Sequence, residues 1–112
     1  MKKTSTVLLL MSISSVAFSA YIHGVDTKIT RVSTFGKGVV TGDLFIQVED
    51  SVAGCEKGYY LRSENAGKNG ALSIALSAYH SAAKVKIHAY DSPRWPGSSG
   101  NTCEIESISL VK

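Results

Sequence analysis

One stretch of the chain, Asn69 to Asp91, changes its hydrophobic period from about 3.6 residues to 2 with no turn signal between. A helix must therefore run almost directly into a strand. At about 100° per residue, Leu72, Ala75, Leu76, Tyr79 and Ala83 form the expected core face, with Ile74, Ala78 and Ala82 extending it. Ser73, Ser77, His80 and Ser81 make the narrow polar arc. From Lys84 onward the pattern alternates, so Val85, Ile87 and Ala89 point to one side and Lys86, His88 and Tyr90 to the other.

Residues Met1 to Ala20 have the make-up of a secretory signal peptide: Lys2 and Lys3, an apolar run from Val7, and small residues from Ala17. The run is too short and serine-rich for a spanning helix. Cleavage after Ser19 places Ala17 three residues back, whereas cleavage after Ala20 places Phe18 there. Residues 21–112 are then read as one exported domain of about 92 residues, periplasmic or secreted. At that size a covalent staple is valuable, and Cys55 and Cys103, the only two cysteines, are expected to form one in an oxidising compartment.

Without Lys2 and Lys3, ten Lys and Arg face nine Asp and Glu. A nucleic-acid partner would call for a basic excess, so none is expected.

In chain order, Thr27 to Phe35 is rich in β-branched residues, and the three-residue spacing of Ile29 and Val32 implies a bulge. A glycine-rich turn follows at Phe35 to Gly38. A long strand is expected from Val39 to Glu49, with Gly42 letting it coil. Cys55 to Arg62 reads as a third strand, Asn69 as the N-cap of the helix, and Lys84 to Tyr90 as the fourth strand. A Gly, Ser and Pro-rich loop spans Asp91 to Thr102. The last strand, Cys103 to Val111, changes phase near Glu106 and Ser107 as a bulged strand does.

The order strand, strand, strand, helix, strand, strand is that of the OB-fold, a mainly β class in which a five-stranded Greek-key barrel carries one helix. An open sheet with one helix laid across it is the competing arrangement.

No histidine pair has H-x-x-H or H-E-x-x-H spacing, so no metal site is expected. There is no G-x-S-x-G elbow, and Glu104 and Glu106 on one strand face read as a solvated edge. Neither catalysis nor a cofactor is expected. Trp95 lies in the loop between the last two strands, which borders the ligand face of OB-folds. Either it folds back to cap a barrel end, or it stacks on a sugar with Arg94 and Asp91 as polar contacts and Tyr60 and Tyr90 extending the surface.

The helix, the segment KVKIHAYDSPRW with its V-x-I strand, and the late cysteine resemble the B subunits of subtilase-type and pertussis-type AB5 toxins, over most of residues 27–110. That resemblance implies a glycan-binding, ring-forming OB-fold accompanied by a companion secreted chain. The family's glycan site pairs an Asp with a Ser four residues on, and Asp26 and Thr30 have that spacing with Thr in place of Ser. The wide apolar arc of the helix fits a cyclic homo-oligomer, with Ile74, Ala78 and Ala82 toward a neighbour. Two functions remain open: a glycan-binding module, or a protein-interaction or structural subunit such as an inhibitor or envelope-complex component.

Overall fold

The computed structural model describes residues 19–112. The leader expected at Met1 to Ala20 lies outside them up to residue 18. The elements are β1 (Tyr21–Ile22), β2 (Thr27–Thr34), β3 (Leu44–Val48), β4 (Gly58–Leu61), α1 (Lys68–Ser81), β5 (Lys84–Tyr90) and β6 (Thr102–Val111). Strand β2 pairs with β3, β3 with β4, β4 with β6, β6 with β5, and β5 again with β2. The sheet thus closes as a five-stranded barrel, with β4 and β6 its one parallel pair. β1 is an added strand along β5. This is the OB-fold order, disulfide included, rather than an open sheet.

Two bulges allow the closure. Ile29 faces Val48 but Arg31 faces Gln47, so Thr30 is the extra residue, and Ile29 and Val32 both reach the core side. On β6 the register passes from His88↔Ser107 to Ala89↔Ile105, so Glu106 is skipped. Each bulge increases local twist, and a small barrel needs that to close.

Inside the barrel, Ile29, Leu44, Ile46, Tyr59, Leu61, Val85, Ile87, Ala89 and Ile105 form one core, sealed at one end by α1. The helix is turned from the expected orientation. Ala71, Ala75 and Ala78 are buried, while Leu76 and Tyr79 are 41% and 50% exposed. Alanines let the helix backbone sit close against the strands, with Leu72 packing at the margin of the same core. Ala78 consequently belongs to the chain's own core and not to a neighbour. Ala82 ends the helix in the left-handed region at φ 55°, and Ala83 N donates to Ala78 O. β5 starts two residues later, the abrupt passage that the change of period requires.

Two further expectations are corrected. Residues Val39 to Asp43 are not strand: Thr41 N donates to Gly38 O, Gly42 N to Phe35 O and Asp43 N to Val40 O, in a series of turns. Gly38 and Gly42 have φ of 85° and 79°, so Gly42 serves a turn and not the coiling of a strand. The N-cap is Gly67, without a side-chain bond, and Asn69 lies inside the first turn. Asn65 instead organises the entry, its Oδ1 accepting from Gly67 N at 2.8 Å.

A second, smaller core lies outside the barrel. Phe45, Tyr60 and Trp95 pack together with Phe35 and Val40 at its margin, beneath the 35–43 and 91–101 loops. Strands β3 and β4 are therefore buried on both faces over most of their length. The Cys55–Cys103 disulfide, with Cα atoms 5.4 Å apart, ties the turn before β4 to the start of β6.

Candidate functional site

β5 turns Lys86, His88 and Tyr90 outward, and β1 lies antiparallel beside it with Tyr21 opposite Tyr90 and Ile22 opposite Ala89. Ile22 packs against the barrel core, so its neighbours Tyr21 and His23 point away from it. The result is a surface cluster of two phenols and two imidazoles, with Tyr21 and His23 exposed and His88 and Tyr90 half-buried. The Tyr21 ring stacks on His88 at 5.8 Å and 27°, meets Tyr90 at 5.5 Å, and stands nearly perpendicular to His23 at 4.8 Å. His23 and His88 are themselves 5.7 Å apart.

Two backbone features hold the cluster. Gly24 N donates to His88 Nδ1 at 3.0 Å, so neutral His88 carries its proton on Nε2, where it is a donor toward solvent. That bond needs glycine at 24, because a Cβ there would lie 1.9 Å from Ile87 O. Asp91 ties down the start of β1: Ala20 N donates to Asp91 Oδ1 at 2.8 Å and Asp91 N donates to Ala20 O at 3.1 Å.

The rim is acidic. Tyr21 Oη donates to Glu106 Oε2 at 3.4 Å, and Asp26 pairs with Lys86 at 3.4 Å. Loss of hydration at its hydroxyl, and then the Glu106 carboxylate, push the Tyr21 phenol above its usual range. Exposed ring faces, an imidazole donor and carboxylate acceptors suit a ligand with both hydroxyls and apolar C–H faces.

Tyr90 and Asp26, both named from the sequence, belong to this patch, and Asp91 supports it from one end. Thr30 does not: it lines a separate cleft of about 200 Å³ with Gln47, Ser51, Glu56 and Lys57. The expected Asp26–Thr30 pair thus does not converge on one pocket. Arg94 is exposed, and its charge is felt at Glu56, whose carboxyl is held low by Asn101 Nδ2, then Gly54 N, then Arg94.

Trp95 is buried, but against the outer face of β3 and β4 and not as a cap on a barrel end. It is 3% exposed, stacks on Phe45 at 5.0 Å and 9°, and donates from Nε1 to the buried Asp43 Oδ2 at 2.8 Å. Gly97 closes over its ring, since a Cβ there would lie 2.5 Å from Trp95 Cη2. Tyr60 is buried too, its hydroxyl donating to Pro93 O and so fixing the same loop. Neither ring offers a face to a sugar.

Burial first, and then Glu104, push the Tyr60 phenol up to about 12. Its unfolded value is near 10. The native state therefore binds this proton more tightly, and the stabilisation is complete below about pH 10 and lost as pH rises toward 12. Denaturant midpoints measured across that window are expected to fall, and Tyr60→Phe should flatten the fall.

The sequence reading passed over Tyr21, His23 and His88 as sites. Their signal is the pair of mirrored tripeptides Tyr21-Ile22-His23 and His88-Ala89-Tyr90, which antiparallel pairing brings ring against ring. Among the described residues no group of three or more His, Cys, Asp or Glu converges to hold an ion, and no helix is long and apolar enough to cross a membrane. Comparison with known proteins found no matching family, curated protein or solved structure.

Proposed function

We propose that this chain is an exported, non-catalytic binding module that takes glycans on the β1–β5 face, in the manner of an AB5 toxin B subunit. The observation that carries the reading is the exposed Tyr21 ring, 40% accessible and set among His23, His88 and Tyr90 beside Glu106. A sugar presents axial C–H groups to such a ring and hydroxyls to the carboxylates and to His88 Nε2. The closed barrel contributes stiffness, so little ordering cost falls on binding. Export to the periplasm or beyond, a cyclic homo-oligomer and a companion secreted chain are part of the same proposal.

A glycan array tests it. Wild-type protein should give a defined set of signals, and Tyr21→Ala should weaken them about tenfold, or about 1.4 kcal/mol, as loss of an aromatic stacking partner does. Because Tyr21 is exposed, stability should change by no more than about 1 kcal/mol. An array without signal for the wild-type protein, or signals untouched by Tyr21→Ala, would overturn the reading.

Exposed Leu76 and Tyr79 favour a second reading, a subunit or inhibitor that docks a protein partner through the outer side of α1. Capture of one partner from envelope extract, insensitive to free sugar and lost in Tyr79→Ser, would support that reading instead.

A further inference from the structure

We infer that export processing cuts the Ser19–Ala20 peptide bond and that the Asp91 carboxylate holds the α-ammonium thereby created on Ala20. The inference rests on the export proposed above, and the structure adds what the sequence leaves open. Ala20 N lies 2.8 Å from Asp91 Oδ1, and Asp91 N donates back to Ala20 O at 3.1 Å, so Ala20 is joined to Asp91 through both backbone groups. The pair extends the β1–β5 register by one position beyond Tyr21↔Tyr90.

The two candidate cuts leave this contact in opposite states. Hydrolysis adds water across the amide, supplied at the active site of a membrane-bound signal endopeptidase. Ser19 departs as the carboxylate end of the leader and Ala20 gains the proton of an ammonium. The amide bond to the Asp91 carboxylate, already charge-assisted on the acceptor side, becomes an ammonium–carboxylate ion pair in which both partners are charged. A cut one residue later removes Ala20 altogether. Asp91 N then loses its acceptor and the carboxylate its donor, and the end of β1 next to Tyr21 is left untied. Of these two cuts the earlier one places small residues, Ser19 and Ala17, at the first and third positions before it, and it is the one that keeps the Ala20 contacts.

Asp91 is thereby given a positioning role. It fixes the new chain end, and through β1 it fixes Tyr21 against His88 and Tyr90.

The test starts from the full 112-residue chain, expressed with its own leader in a bacterial host and recovered from the periplasm or medium for intact-mass measurement and N-terminal sequencing. A chain beginning at Ala20 is expected. A chain lighter by one alanine residue, beginning at Tyr21, would overturn the inference while leaving export standing, whereas a chain that keeps Met1 in the cytoplasm would overturn both. The pairing itself is read from the rate at which an amine-acylating reagent labels the α-amine at neutral pH, resolved from lysines by peptide mapping. An ammonium held by a carboxylate gives up its proton less readily, so Asp91→Asn should label about threefold faster or more. Asp91→Ser serves if Asp91→Asn does not fold, and equal rates in a folded variant would overturn the pairing.

Discussion

Trp95→Ala is expected to lower the free energy of unfolding by about 3 to 5 kcal/mol, as truncation of a buried tryptophan does. The loss has two parts. Phe45, Tyr60 and Phe35 lose the ring on which the outer core is built, with centroids now 5.0, 6.1 and 5.3 Å from it. Asp43, fully buried, loses the donor at Oδ2 and keeps the Ser63 amide at Oδ1 and the Arg62 guanidinium 3.0 Å away. Trp95→Phe separates the parts, because it keeps a ring in the site while removing the Nε1 donor. It should cost about 1 to 3 kcal/mol. Unfolding must be followed by circular dichroism, since Trp95 is the only tryptophan. If Trp95→Ala melts like the wild type and loses glycan binding, the ring is a ligand platform and its structural role in the outer core fails.

Reducing the Cys55–Cys103 bridge should cost about 4 kcal/mol on the chain-entropy argument, given the 48-residue separation it closes. For a domain of this size that is a large share of a net stability of about 5 to 15 kcal/mol. The bridge also has a local effect. It joins the turn before β4 to β6 next to their parallel pairing, where Gly58 faces Thr102 and Tyr59 faces Cys103. Both cysteines are fully buried, so a reductant reaches them only when the barrel opens. Urea unfolding of the wild type and of the Cys55→Ala, Cys103→Ala double variant measures the effect. Equal midpoints would mean that the bridge adds nothing to the closed barrel.

What the sequence made legible followed from periodicity and what it hid followed from packing distance. The passage from 3.6 to 2 at Ala82 and Ala83 located α1 and β5, and the broken spacing at Ile29 and Val32 located the first bulge. The helix face was legible in part: Leu72, Ala75 and Ala78 pack on the core as their spacing implies, but Leu76 and Tyr79 turn outward although hydrophobicity ranks them above the alanines. Val39, Val40 and Thr41 are β-branched as strand residues are, yet Gly38 and Gly42 turn Val39 to Asp43 into loop beneath the outer core. A ring bonded through its N–H to an aspartate 52 positions away leaves no local trace, so the place of Trp95 came from the fold. In the candidate site, Tyr90 and Asp26 were found as single residues. Tyr21, His23 and His88 acquire a role only when a two-residue strand folds back along β5.

The most direct test of the central claim follows each backbone amide by NMR while isotope-labelled protein is titrated with the glycan that gives the strongest array signal. Glycan bound at the β1–β5 face should give saturable shifts at residues 20–24, 86–90 and 104–107, where β1, β5 and β6 meet at the Tyr21 ring. Shifts centred instead on Thr30 and its cleft, or on the 91–101 loop over Trp95, with Tyr21, His88 and Tyr90 unmoved, would contradict it.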